Sequence, residues 1–264
     1  MPCSALEPDP RMWNHIPMDS NFGGFAFAQT RADIFFDPTL KLENVEMKLD
    51  TRAGKYIRTF ELFEKSARID ITQAYQKAEW TGLLQGTPAS TSRNGLSDTL
   101  VRVAVNLYGA PPLHGKEFNA YRSNVTVETI VGSALTVRMP TGDYQEDKLL
   151  NLGQNRFTFS TQLGIIHTRG KWTTELTGEI AFYTKNNAFF DGNTLEQKPL
   201  YIVHGHLIRA LNPGEWLALS VGYDYGGENT LNGVDNNDTK RDIAWKLSYS
   251  YPINRTSGFK ISYL

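Results

Sequence analysis

Hydrophobic and polar residues along this chain sort with a period of two. Val45, Met47, Leu49, Thr51 and Ala53 alternate with Glu46, Lys48, Asp50 and Arg52. Successive side chains take opposite faces only in a β-strand, so the pattern predicts a strand and excludes a helix. The same alternation returns around Ile69, Val103, Leu135, Leu163, Leu176, Leu219 and Leu247. Weaker versions cover Asn21 to Thr30, Leu200 to Ala210 and Phe259 to Tyr263. Eleven strands are predicted, many about ten residues long, a length that suits a tilted strand crossing a bilayer.

The predicted connections alternate between long and short. Arg31–Asn44, Gln76–Asp98, Pro140–Asn155, Lys185–Pro199 and Gly226–Arg241 are long. Glu61–Ser66, Thr168–Lys171, Asn212–Glu215 and Pro252–Ser257 are short. Membrane barrels have long loops at one end and short turns at the other. Gly109–Thr126 breaks the rhythm; with a helical turn near Lys116–Arg122, it reads as a short periplasmic helix or as a segment folding under the barrel.

A soluble barrel would turn the apolar face inward, and a membrane barrel turns it outward. The loop rhythm favours the membrane form. So do the aromatics at strand ends, Trp80, Tyr108, Trp172, Tyr183, Tyr201, Trp216, Tyr225 and Tyr251, which suit bilayer interfaces. The expected fold is all-β, an antiparallel transmembrane β-barrel of about twelve strands. Residues 1–20 form the end of a signal peptide and an N-terminal segment, and residues 21–264 form the barrel. Since single-chain bacterial barrels have even strand numbers, eleven strands predict a closing twelfth after Leu264.

Composition adds exclusions. Charged residues make up 21% of the 264 and the formal net charge is −1, which gives no electrostatic case for nucleic acid. No stretch reaches the roughly 18 consecutive apolar residues of a membrane helix. The single cysteine, Cys3, rules out a disulfide framework within the chain.

The predicted lumen face balances its charges, seven acids against seven bases. Glu46, Asp50, Asp70, Glu175, Glu179, Asp224 and Asp242 face Lys48, Arg52, Arg68, Arg102, Arg138, Lys246 and Lys260. A balanced lumen argues against strong charge selectivity, and pairing is the ordinary reason such charges survive burial. The candidate lumen-lining residues for a solute are Arg68, Asp70, Arg102, Arg138, Glu175, Glu179, His204 and His206. Glu175 and Glu179 lie two lumen steps apart, about 13–14 Å along a strand, too far for a glycosidase-type carboxylate pair. His204 and His206 share a face, but no third ligand is visible, so no metal and no cofactor are expected. Asp143, Glu146, Asp147, Asp235 and Asp238 lack calcium-loop spacing and read as solvated loop acids. Phe22, Phe25, Phe27, Phe35 and Phe36 read either as a hydrophobic entry site or as lipid anchors.

Four collinear stretches, Ser66–Pro111, Gly142–Phe159, Ala188–Tyr201 and Tyr223–Ile253, resemble the outer-membrane transporter family labelled meta-pathway of phenol degradation. The resemblance implies a signal-peptide-bearing barrel in a Gram-negative outer membrane, inserted by the barrel assembly machinery and surrounded by outer-membrane lipid; no Ser/His/acid spacing points to an enzyme. It implies passive transport of small hydrophobic or aromatic solutes. The alternative is a closed-lumen structural or adhesive barrel that acts through its extracellular loops. The sequence departs from the family pattern at both ends, where the signal peptide is incomplete and a terminal closing strand is absent.

Overall fold

A computed structural model of the chain describes residues 9–37, 42–84, 87–148 and 150–264; the side chains of 33–37, 42–45 and 84 are outside that description. The order is β1 (Asn21–Asp37), β2 (Leu42–Leu62), β3 (Lys65–Leu84), β4 (Thr87–Leu96), β5 (Thr99–Tyr108), α1 (Gly115–Asn124), β6 (Val127–Met139), β7 (Thr158–Arg169) and β8 (Trp172–Tyr183). There follow β9 (Asn186–Phe189), β10 (Asn193–Gln197), β11 (Leu200–Asn212), β12 (Glu215–Gly226), β13 (Asn229–Leu231), β14 (Val234–Asp235), β15 (Lys240–Pro252) and β16 (Gly258–Tyr263). One curved antiparallel sheet runs β1-β2-β3-β5-β6-β7-β8-β11-β12-β15-β16, with β4 paired to β3 beside that path. The eleven strands of the path match the alternation in the sequence. Among the described residues no pairing joins β1 to β16.

Burial settles the direction of the faces. On β7 the sequence Ser160, Gln162, Gly164, Ile166 is buried, while Phe159, Leu163 and Ile165 are exposed. On β11 and β12, His204, His206, Ser220 and Asp224 are buried, while Val203, Leu207, Leu219 and Val221 are exposed. Polar residues inside and apolar residues outside are the reverse of a soluble barrel and the arrangement that hydrocarbon surroundings demand.

The first alternating run inverts this rule. β2 has 21 residues, so at about 3.3 Å per residue it outruns the roughly 30 Å hydrocarbon layer. The far halves of β2 and β3, with β4, form a projection at the long-loop end. There Met47 and Trp80 oppose each other and point inward, packed with Ala78 against Leu49, Leu150, Leu152 and Phe189. Glu46, Lys48, Asp50 and Arg52 therefore face outward and do not line the lumen. Trp80 is a core residue and not an interface anchor. Tyr183 and Trp216 also point inward, whereas Tyr108, Trp172, Tyr201, Tyr225 and Tyr251 are exposed on the outer face as expected.

The long connections carry more structure than loops. β9, β10, β13 and β14 build a separate four-stranded sheet at that end. Asp238 accepts from the Asn229 N–H and side chain, and Lys198 pairs with Glu228 and Asp235 (2.5 and 3.0 Å). Among the turns at the opposite end, Phe63 and Glu64 hold left-handed backbone (φ 50° and 58°), closing β2 to β3 as a two-residue hairpin. Helix α1 occupies the predicted place in the Gly109–Thr126 connection.

Candidate functional site

The N-terminal segment, Asp9 to Ser20, enters the lumen. Its anchor is Trp13, only 1% exposed, whose indole N–H donates to Thr177 Oγ1 (2.8 Å). The ring lies against Gly132 and Gly164, which oppose each other on β6 and β7. A Cβ at Gly164 would sit 2.0 Å from the indole nitrogen, and one at Gly132 would sit 2.2 Å from the ring. Only glycine leaves this socket open. Ala104, Ala110, Ala134, Ile130 and Ile166 complete it.

Further contacts fix the segment at both sides of Trp13. The Arg11 N–H donates to Glu175 (2.7 Å). Asp9 reaches Lys260 (2.6 Å) and Lys246 (3.3 Å). Burial raises the Asp9 pKa, but the two ammonium groups outweigh it and hold the carboxyl below its ordinary value. His15 is buried under α1, edge-on to Phe118 and Tyr121 (ring centroids 4.8 and 5.2 Å), with its Nε2 on the Pro111 carbonyl (2.7 Å). Its Nδ1 lies 3.8 Å from Glu128, which pairs with Arg122 (2.6 Å). Burial pushes the His15 pKa down, against the pull of Pro111 and Glu128. The Thr59 hydroxyl donates to Pro17 and accepts from the Ser20 N–H.

Beside this segment a polar girdle crosses the sheet. Asp70 on β3 lies within 3.6 Å of Lys55, Arg68 and Arg102. Arg102 Nε–H donates to Gln162 (3.0 Å), whose amide donates to Glu179 (2.7 Å). The Arg102 guanidinium also stacks 4.9 Å from the Trp13 ring. His204 and His206 stack on β11 (6.5 Å, 10° between planes), and His206 Nδ1 meets Ser220 Oγ at 2.8 Å. Among the described residues no metal-holding group of three or more His, Cys, Asp or Glu exists.

All eight candidate lumen residues therefore face the interior, but in different roles. Arg68, Asp70, Arg102 and Glu179 belong to the girdle. Glu175 is taken by the N-terminal segment. Asp70, Arg102, Arg138 and Glu179 line a cavity of about 840 Å³ with Thr72, Thr136, Ser160, Tyr183, Leu200 and Ile202. Asp9 and Met12 form its floor, and Gln154 reaches it from the 140–157 loop. Asp98, 2% exposed, holds that loop by accepting N–H bonds from Gly142 (3.0 Å) and Gln154 (2.9 Å). Arg156, at the loop's end, stacks on Tyr183 (4.7 Å) and bonds to Gln197; burial lowers its pKa to about 10.

With the β2 charges turned outward, Asp70, Glu175, Glu179, Asp224 and Asp242 face Arg68, Arg102, Arg138, Lys246 and Lys260, still one for one. Lys55 and Arg11 add two positive charges, and Asp9 and Glu128 two negative ones. Alternation alone assigns Lys55 to the outer face, since it shares the parity of Met47 and Leu49, and no periodicity in residues 9–20 marks Asp9 as a lumen residue. A tryptophan among Asp9, Arg11 and His15, in a stretch too charged for a signal-peptide core, was the available signal. Phe25 and Phe27 have the outward parity of β1, opposite Gly54 and Arg52 of β2, at 90% and 80% exposure, yet on this edge strand they also border the cavity. The side chains of Phe35 and Phe36 lie outside the described residues.

An antiparallel barrel with an apolar exterior, a charge-balanced interior and a chain segment seated inside defines a membrane-barrel class of protein. The family model described as "Putative MetA-pathway of phenol degradation" matches residues 44–264, and the chain belongs to that family. No curated protein matches the sequence. Among solved structures, the crystal structure of an outer membrane channel from Pseudomonas putida F1 is similar in fold. It has a TM-score of 0.81 at 18% identity, over 97% of this chain and 91% of that one.

Proposed function

We propose that the protein is an outer-membrane channel for passive transport of small hydrophobic or aromatic solutes, with the short turns in the periplasm and the β2–β4 projection outside the cell. The observation that carries this reading is the 840 Å³ lumen cavity, which sets Leu100, Leu200, Ile202 and Tyr183 among hydroxyls and paired charges. Cavities of about 300–1,000 Å³ suit small organic ligands. The cavity wall sets the acids Asp9, Asp70 and Glu179 among the bases Lys55, Arg102, Arg138 and Lys260, so most of its charge is offset close by. Family membership and the channel fold of the Pseudomonas putida F1 protein support the same reading. Outer-membrane lipid would surround the barrel, and the barrel assembly machinery would insert it. The reaction is diffusion; it asks no catalytic group of the protein.

Ion selectivity tests the charge argument. In planar bilayers under a tenfold potassium chloride gradient, the reversal potential should lie near zero. A potential close to that of an ideal anion or cation pore would contradict a balanced lumen. A second reading, a closed structural barrel, is favoured by the N-terminal segment on the cavity floor. Recordings without conductance in the native chain and in every segment-displacing variant would favour that reading.

A further inference from the structure

We propose that Arg169, Lys171, Trp172 and Arg209 form a binding site for the phosphate of an anionic phospholipid, in the leaflet at the short-turn end of the barrel. Arg169 on β7 opposes Trp172 on β8, and Trp172 opposes Arg209 on β11. The three side chains therefore stand in a row on the outer face. The Arg209 guanidinium lies 4.9 Å above the indole of Trp172, which is 44% exposed. Lys171, in the adjoining turn, is exposed and touches the Leu211 carbonyl at 3.4 Å.

This cluster differs from the other cation sites described. Asp70 offsets the lumen arginines beside it, and on the outer face of the projection Lys77 pairs with Glu79 (2.9 Å). Arg169, Lys171 and Arg209 have no acidic partner among the described residues. Their next neighbours across the ladder are Val127 and Leu217, both exposed and apolar. Three uncompensated cations at the margin of an apolar band meet the chemistry of a lipid phosphate with acyl chains attached. Guanidinium forks bind phosphate oxygens in pairs, and an indole at the interface orders the cation above it. A free phosphate would leave the apolar flank unused, so the lipid is the better fit.

The inference rests on the chain spanning a bilayer, not on what it transports. The test is native mass spectrometry of the full chain from detergent, titrated with phosphatidylglycerol, diacylglycerol or glycerol 3-phosphate. The native protein should retain phosphatidylglycerol and neither of the other two. R169Q/R209Q should retain it about 25-fold more weakly, since each of the two cations near an anionic surface contributes about a fivefold factor. R169K/R209K should keep most of the binding. Heat-modifiable migration on gels checks that each variant is folded; if the double variant is not, R169Q and R209Q are read singly. Equal retention by native and glutamine variants overturns the site. Equal retention of diacylglycerol reduces it to an apolar contact, and equal binding of glycerol 3-phosphate makes it a free-anion site; both overturn the proposal. Loss of heat-modifiable migration in the native chain would instead strike the membrane reading itself.

Discussion

Seating of the N-terminal segment depends on Trp13 and the glycine socket that receives it, and the two can be perturbed from opposite sides. Trp13→Ala removes a side chain that is 1% exposed, together with its 2.8 Å bond to Thr177 and its stacking under Arg102. Truncating a buried tryptophan costs about 3–5 kcal/mol. At about 1.4 kcal/mol per decade, the balance between seated and unseated segment shifts by about a thousandfold. Gly164→Ala adds one methyl group where the indole nitrogen would be 2.0 Å away, so the ring must leave although the strand gains a better β-former. One variant empties the socket and the other fills it, yet both should displace the segment. Displacement is read by trypsin cutting after Arg11 in the folded, membrane-inserted protein, and by single-channel conductance. Both should rise in both variants. If Trp13→Ala and Gly164→Ala leave Arg11 as protected as in the native chain, the socket does not hold the segment. If Arg11 becomes cleavable with conductance unchanged, the segment does not obstruct the lumen.

Three further outcomes follow from the same geometry. Asp98→Ala leaves the Gly142 and Gln154 N–H groups without their buried acceptor, at about 1–3 kcal/mol each; protease sensitivity between residues 140 and 157 should rise while the heat-modifiable gel shift persists. Acid should loosen the N-terminal segment. His15 has its pKa lowered from 6.5 by burial, so the unfolded segment binds its proton more tightly and the contribution present above about 6.5 is lost as pH falls through the lower folded value. Asp9, also lowered, adds a second loss only below about 3.8; Arg11 cleavage measured against pH should rise first in the His15 window, and His15→Gln should remove that first rise. Phe63→Asn with Glu64→Gly relieves two left-handed non-glycine residues, each costing about 1–2 kcal/mol, so the midpoint of heat-modified migration should move up.

The barrel was legible in the sequence because its signal, alternation of side-chain faces, is local. Ile165, Leu176 and Leu219 face outward as their polar neighbours imply, and α1 lies where the broken loop rhythm placed a helix. The sign of the alternation is not local. Met47 and Val103 sit in equivalent-looking runs, but one lies in the projection, roofed by Leu150 and Leu152, and the other meets the surroundings of the barrel. Nothing near residue 47 records that β2 continues beyond the apolar band. The candidate site divides the same way. Asp70 and Arg102 are directly opposed on adjacent strands, so their pairing follows from register. Trp13 meets Thr177 across 164 residues, and Gly132 and Gly164 look like ordinary strand glycines until the indole is in place. The family likeness marked a transporter, but no local motif marked the segment inside the lumen.

The most direct test of the central claim is solute entry into vesicles containing the purified protein. The probe is a neutral aromatic such as phenol, compared with benzoate and benzylammonium. The account predicts faster phenol entry than into protein-free vesicles, a smaller effect on either ion, and a further increase with Trp13→Ala. Phenol entry no faster than into empty vesicles, with both native protein and Trp13→Ala inserted and folded, would contradict it.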